Sequence, residues 1–143
     1  MKFYPRVLWS RETMSELEQK KSVLYIEDNP ANLRLVEQIL MCLPDVHMWS
    51  APEPLLGFEL VMEHSPDLIL LDINLPGMDG YEVLKKLRSQ DVSRDIPVIA
   101  VSANAMPKDI QKAKEAGFDG YITKPVNVKE FLSTVEEMLS NKE

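Results

Sequence analysis

Glu27, Asp28, Asp72, Ser102 and Lys124 each stand at the end of a short aliphatic or β-branched run in a chain of 143 residues. Glu27 and Asp28 follow Ser22 to Ile26, and Asp72 follows Leu68-Ile69-Leu70-Leu71. Ser102 follows Val98 to Val101, and Lys124-Pro125 follows Gly120 to Thr123. If the runs that carry the acids are neighbouring strands, three carboxylates converge at one edge of a sheet. Two unit charges ~4 Å apart repel by about 4 kcal/mol at an effective dielectric near 20, so such a cluster must take up a proton or a cation. A hard divalent ion suits it, because magnesium takes oxygen ligands, keeps several waters and is commonly held by one or two carboxylates plus a phosphate. The Ser102 hydroxyl and the Lys124 ammonium complete a set able to contact the oxygens of a transferred phosphoryl group. Asp72 is then the carboxylate nucleophile that becomes an acyl phosphate.

The elements that must position these side chains follow from the spacing of apolar residues. From residue 22 onward, short aliphatic runs alternate with longer stretches of helical spacing, which implies βα units. Strands are expected at Ser22 to Ile26, Val46 to Ser50, Asp67 to Leu71, Pro97 to Val101 and Gly120 to Thr123. Two of them are nearly continuous apolar runs, as parallel strands covered on both faces require. Ligands of such open sheets gather at the carboxyl ends of the strands, where the five residues stand. The first helix opens with Asn29-Pro30, a capping residue followed by proline at the first helical position, and its core face is Leu33, Val36 and Leu40. The last carries Val128, Phe131, Leu132, Val135, Met138 and Leu139 on one stripe, read as core. The fourth is placed near Asn104 to Ala116, with Gly117 as its C-terminal cap. Asp79 and Gly80 read as a turn that starts the third helix.

Residues 1–20 fit none of this rhythm and form an arm, a linker or a short helix, with Thr13-x-x-Glu16 resembling a capping box. Residues 21–143 form one domain, since the chain is too short for two ordinary ones. The net charge of −7 disfavours a phosphate-backbone contact surface, so no nucleic-acid partner is expected. The single Cys42 excludes an internal disulfide and is read as a small core residue, which suits a reducing cytoplasm. No apolar run approaches the ~20 residues of a membrane helix, and the N-terminus lacks the apolar stretch of a secretion signal. The expected location is therefore cytoplasmic, with no membrane partner. His47 and His64 are isolated and read as structural or solvated.

Four motifs together resemble the receiver domain of response regulators over roughly residues 22–140. They are Glu27-Asp28-Asn29, Leu71-Asp72-Ile73-Asn74-Leu75-Pro76-Gly77-Met78-Asp79-Gly80, Val101-Ser102-Ala103 and Tyr121-Ile122-Thr123-Lys124-Pro125. The resemblance implies an α/β fold, a flavodoxin-like (βα)5 doubly wound parallel sheet of strand order 2-1-3-4-5, an order that spacing alone leaves open. It also implies a Mg2+ site, open to Mn2+, made by the Asp28 and Asp72 side chains and the Asn74 backbone carbonyl, with Glu27 acting through water. Lys124, Ser102 and the Ala103 backbone N–H would bind the phosphoryl group, with a cis peptide before Pro125. Ser102 and Tyr121 resemble a switch pair, and Asn74 and Asn104 stand at positions that tune phosphate loss.

By the same resemblance, Asp72 takes a phosphoryl group from a phosphohistidine on a sensor histidine kinase or a histidine phosphotransfer protein. Such a domain catalyses its own phosphorylation and dephosphorylation and is otherwise no enzyme. A downstream protein would read the face made by helix four, strand five and helix five, with the chain a monomer or weak dimer. The motif wording also resembles receivers at the C-terminus of hybrid sensor kinases. Met1 favours a stand-alone chain, and no output domain is expected.

Other readings remain open at this point. Singly, Asp72 or Asn29 reads as a helix cap and Tyr121 as a core aromatic, and a degenerate, unphosphorylated relative would carry much of the same pattern. A haloacid-dehalogenase-type phosphatase would place an acid two positions beyond its nucleophile, where Asn74 stands, so its general acid is missing. A flavodoxin-like electron carrier would need a Ser/Thr/Gly-rich loop after strand one, where the acids repel a phosphate. A nucleotide hydrolase would need G-x-x-x-x-G-K-[ST], which is absent.

Overall fold

A computed structural model describes residues 20–140. The N-terminal arm and the Thr13 to Glu16 capping box fall almost wholly outside them. Five strands alternate with five helices: β1 (Lys21–Ile26), α1 (Pro30–Leu40), β2 (Val46–Ala51), α2 (Pro54–His64), β3 (Leu68–Asp72), α3 (Gly80–Arg88), β4 (Val98–Ser102), α4 (Pro107–Ala116), β5 (Gly120–Thr123) and α5 (Val128–Ser140). The strands form one parallel sheet in the order β2-β1-β3-β4-β5. This is the doubly wound fold expected from the motifs.

Alternation along the strands divides the core in two. Leu24, Ile26, Ile69 and Leu71 face α2, α3 and α4, where they meet Leu60, Val83, Leu84 and Ala113. Val23, Tyr25, Leu68 and Leu70 face α1 and α5, where they meet Val36, Leu40, Phe131 and Val135. All five residues of β3 and of β4 are buried, which is why both read as unbroken apolar runs in sequence. No helix among the described residues is long and apolar enough to cross a membrane.

Local chemistry sets the helix ends that matter for the sheet's upper edge. The Asn29 side chain accepts from the backbone N–H groups of Ala31 and Asn32 at the start of α1, with Pro30 in the first turn. Asp79 caps α3 through a reciprocal pair, its side chain accepting from the Glu82 N–H while the Glu82 carboxylate accepts from the Asp79 N–H. Gly80 lies so close to the end of β3 that a Cβ would stand 2.7 Å from Ile73 Cα and 2.9 Å from the Asp72 carbonyl. Only glycine lets α3 begin there, and its N–H donates to the Ile73 carbonyl at 2.8 Å. Gly117 ends α4 at φ 109°, a left-handed conformation that glycine adopts without steric cost.

Several expectations are corrected. Cys42 is exposed, not core, because α1 is capped at Met41 and Cys42 lies in the turn beyond it. Helix α4 begins at Pro107 and not near Asn104, since the residue before a proline is pushed out of the helical region and Met106 is extended at φ −70°, ψ 145°. Val128 is 49% exposed, so the core stripe of α5 begins at Phe131. Of the two readings given to His47 and His64, the structural one holds: Trp49 stacks on His64 with ring centroids 3.7 Å apart, and His47 meets Trp49 edge-on at 4.4 Å.

Candidate functional site

Register brings the polar strand ends together. Ile26 pairs with Leu71 across β1 and β3, so Glu27 and Asp72 are the next residues along adjacent strands. Asp72 pairs with Val101, and Ser102 pairs with Thr123. The Lys124 N–H donates to the Ser102 carbonyl at 2.8 Å, which holds the chain beyond β5 against the end of β4. The peptide bond between Lys124 and Pro125 is cis.

Glu27, Asp28 and Asp72 each offer a carboxylate oxygen within 4.8 Å of the others. Glu27 is 1% exposed and Asp72 3%, whereas Asp28 opens to solvent. The Lys124 ammonium bridges the two buried acids, 2.8 Å from Glu27 Oε1 and 3.3 Å from Asp72 Oδ2. Asp72 Oδ1 accepts the Asn74 N–H at 3.0 Å. Fully ionised, three carboxylates and one ammonium leave two negative charges, the complement of a divalent cation, and an all-oxygen donor set on the solvent side fits magnesium or manganese.

The electrostatics follow from burial and pairing. Burial pushes the Glu27 carboxyl up, but the Lys124 ammonium and the Asp72, Asn29 and Tyr25 hydrogen bonds outweigh it and hold the group down at about 2. Asp72 is pushed up, by burial first and then by the hydrogen bond and charge of Glu27. Burial favours the neutral amine at Lys124, yet Glu27 and Asp72 hold it above the usual lysine value. Burial and the Glu27 charge raise the Tyr25 phenol, which therefore remains a donor. A divalent ion beside these acids reverses the logic for Asp72 by favouring its ionised form.

Ser102 is fully buried, and its Oγ accepts the Asn104 N–H at 3.1 Å. The Tyr121 hydroxyl donates to the Asn104 carbonyl at 2.6 Å. A cleft of about 210 Å³ lies beside the carboxylates, lined by Asn74, Ser102, Asn104, Asp109, Lys112 and Tyr121 among others. Asn74 and Ser102 join this cleft to the acid cluster.

The structure thus gathers Glu27, Asp28, Asp72, Asn74 and Lys124 at one point and lines the adjoining cleft with Ser102 and Tyr121, while Ala103, next in the chain to Ser102, is exposed. Sequence reasoning missed Tyr25 and Asn32, which both donate to Glu27 Oε1, at 2.9 Å and 3.1 Å. The signal for Tyr25 was present, since residues two apart on a strand point the same way and a phenol in the run Val23-Leu24-Tyr25-Ile26 needs a polar partner. Asn32 lies in the first turn of α1 and shows no such signal.

A family model described as the response regulator receiver domain matches residues 23–136. The chain is 39% identical over 121 residues to the polar-differentiation response regulator DivK of Brucella anthropi, covering 85% of this chain and 98% of that protein. It aligns at TM-score 0.76 and 28% identity with the receiver domain of a sensor histidine kinase from Pseudomonas aeruginosa PAO1, covering 85% of this chain and 98% of the other. That receiver domain has a magnesium ion coordinated in its active-site cleft. The Mn(2+)-bound form of response regulator Rcp1 aligns at TM-score 0.67 and 30% identity, covering 84% of this chain and 92% of the other. Sequence, topology and the gathering of acids at the carboxyl edge agree, and the chain belongs to the response regulator receiver domain family of two-component signalling.

Proposed function

We propose that Asp72 accepts a phosphoryl group from a phosphohistidine on a sensor histidine kinase or histidine phosphotransfer protein. An Asp72 oxygen attacks phosphorus, the N–P bond breaks, and the imidazole leaves with its electron pair, giving an acyl phosphate. Attack by water later returns the carboxylate and inorganic phosphate, so the domain catalyses its own phosphorylation and dephosphorylation. The observation that carries this reading is the Asp72 carboxylate, 3% exposed, 3.3 Å from the Lys124 ammonium and within 4.8 Å of two further acids.

Asp28, Asp72 and the Asn74 carbonyl would hold Mg2+, with Glu27 contributing through water, and Mn2+ is a reasonable substitute. When bound, the ion neutralises charge on the nucleophile and on the phosphoryl oxygens. Glu27 suits the indirect role, because three donors already fill its Oε1. Lys124 shifts its ammonium away from Glu27, its shorter contact, to a phosphoryl oxygen on Asp72, and Ser102 and the Ala103 N–H bind the others. In binding, the Ser102 hydroxyl moves toward Asp72 and Tyr121 turns into the space beside it, where the cleft leaves room. The face of α4, β5 and α5 then changes shape for a downstream protein.

The test is incubation with a small-molecule phosphodonor and Mg2+, followed by intact mass and hydroxylamine treatment. The parent gains one hydroxylamine-labile phosphoryl group and Asp72→Asn gains none. Persistent modification of Asp72→Asn refutes the assignment. Calorimetry of Mg2+ binding should give a weaker affinity for Asp28→Asn than for the parent.

A further inference from the structure

We propose that Tyr25, assisted by Asn32, is a positioning residue for phosphoryl transfer: it holds the Glu27 carboxylate so that Lys124 is free to turn to the phosphoryl group. The inference rests on the reading of Asp72 as phosphoacceptor and adds residues that the motifs do not contain. Tyr25 lies in β1, 1% exposed, with its ring in the core between α1 and α5. Its hydroxyl leaves that core and donates to Glu27 Oε1 at 2.9 Å. Lys124 Nζ reaches the same oxygen at 2.8 Å and Asn32 Nδ2 at 3.1 Å, so three donors converge on one atom.

Glu27 is itself 1% exposed, and a buried carboxylate that loses a donor has little water to replace it. Lys124 must nevertheless loosen its hold there if it is to neutralise a phosphoryl group on Asp72, which lies 3.3 Å from its ammonium. Tyr25 and Asn32 stay in place while it does so and keep two donors on Oε1. They thereby lower the cost of the hand-over. A residue needed only for packing would carry no hydroxyl, since phenylalanine fills the same space without a buried polar atom to satisfy. Chain length matters as well, because an aspartate at position 27 would end one carbon–carbon bond, about 1.5 Å, short of the phenol.

The experiment compares Tyr25→Phe with the parent for binding of beryllofluoride, a mimic of the phosphoryl group, at saturating Mg2+, and separately for binding of Mg2+ alone. Tyr25→Phe should bind beryllofluoride about tenfold more weakly, the scale of one hydrogen bond to a charged group, with Mg2+ affinity changed by less than about twofold. Asn32→Ala should lose affinity in the same direction, and it preserves the comparison should Tyr25→Phe fail to fold, because Asn32 is only half-buried. In a Glu27→Asp background, Tyr25→Phe should have no further effect. Parent-like beryllofluoride binding by Tyr25→Phe, an undiminished loss in the Glu27→Asp background, or an equal loss of Mg2+ affinity would each overturn the proposal. A parent that binds neither beryllofluoride nor phosphoryl group would instead remove the reading of Asp72.

Discussion

Helices α3 and α4 lie on the same face of the sheet, and each follows a strand that ends in a site residue, yet they are held very differently. Helix α3, after Asp72, has a reciprocal side-chain cap and buries Gly80, Val83, Leu84 and Leu87. Helix α4, after Ser102, has no side-chain cap and buries only Ala113, while Met106 and Ile110 are exposed. Its main tethers are at its far end and its flank. Arg88 donates to the Gly117 carbonyl at 3.1 Å and to Asp119 at 2.8 Å, and Lys112 sits 4.7 Å over the Tyr81 ring. The side of the site that carries Asp72 is thus built as a frame. The side that follows Ser102 is cheap to displace, because few apolar contacts are lost when it moves. On the proposed switch role of Ser102 and Tyr121, a small shift of either would reach the surface through α4 with little effect on Asp72.

The contrast predicts a graded series of stabilities, each measurable by urea unfolding. Leu84→Ala, which empties a site 2% exposed under α3, should cost about 2–5 kcal/mol. Arg88→Ala should cost about 1–2 kcal/mol, given the partial exposure of its pair with Asp119, and should speed amide exchange at Gly117 and Phe118. Ile110→Ala, at a position 39% exposed, should cost less than about 1 kcal/mol. Met106→Ser supplies the missing cap and should gain about 0.5–1 kcal/mol. Equal losses for Leu84→Ala and Ile110→Ala would erase the distinction between the firmly packed and the sparsely packed helix. Slower exchange in α4 than in α3 would invert it.

Much of this was readable from residue order because the signals are local. The continuous runs Leu68 to Leu71 and Val98 to Val101, the Asn29-Pro30 start and the Gly117 stop each act within a few residues. Where neighbours decide, the reading failed. Cys42 looked apolar and helical, but the turn after Met41 carries it to the surface. Val128 fell on an apolar stripe whose first position meets solvent, because the core of α5 starts one turn later. Pro107 could have dated the start of α4, yet the alanine-rich stretch around it masked the boundary. The convergence of the acids was legible as strand ends, whereas the donors on Glu27 depend on where a β1 phenol and an α1 amide arrive in space.

The most direct test of the account is to locate the phosphoryl group chemically. Borohydride reduces an acyl phosphate to the alcohol, so an aspartyl phosphate becomes homoserine, which peptide mass mapping places at a single residue. After treatment with phosphodonor and Mg2+, homoserine should be found at position 72 and should be absent from a sample without phosphodonor. Reduction at Glu27 or Asp28 in place of Asp72 would contradict the account.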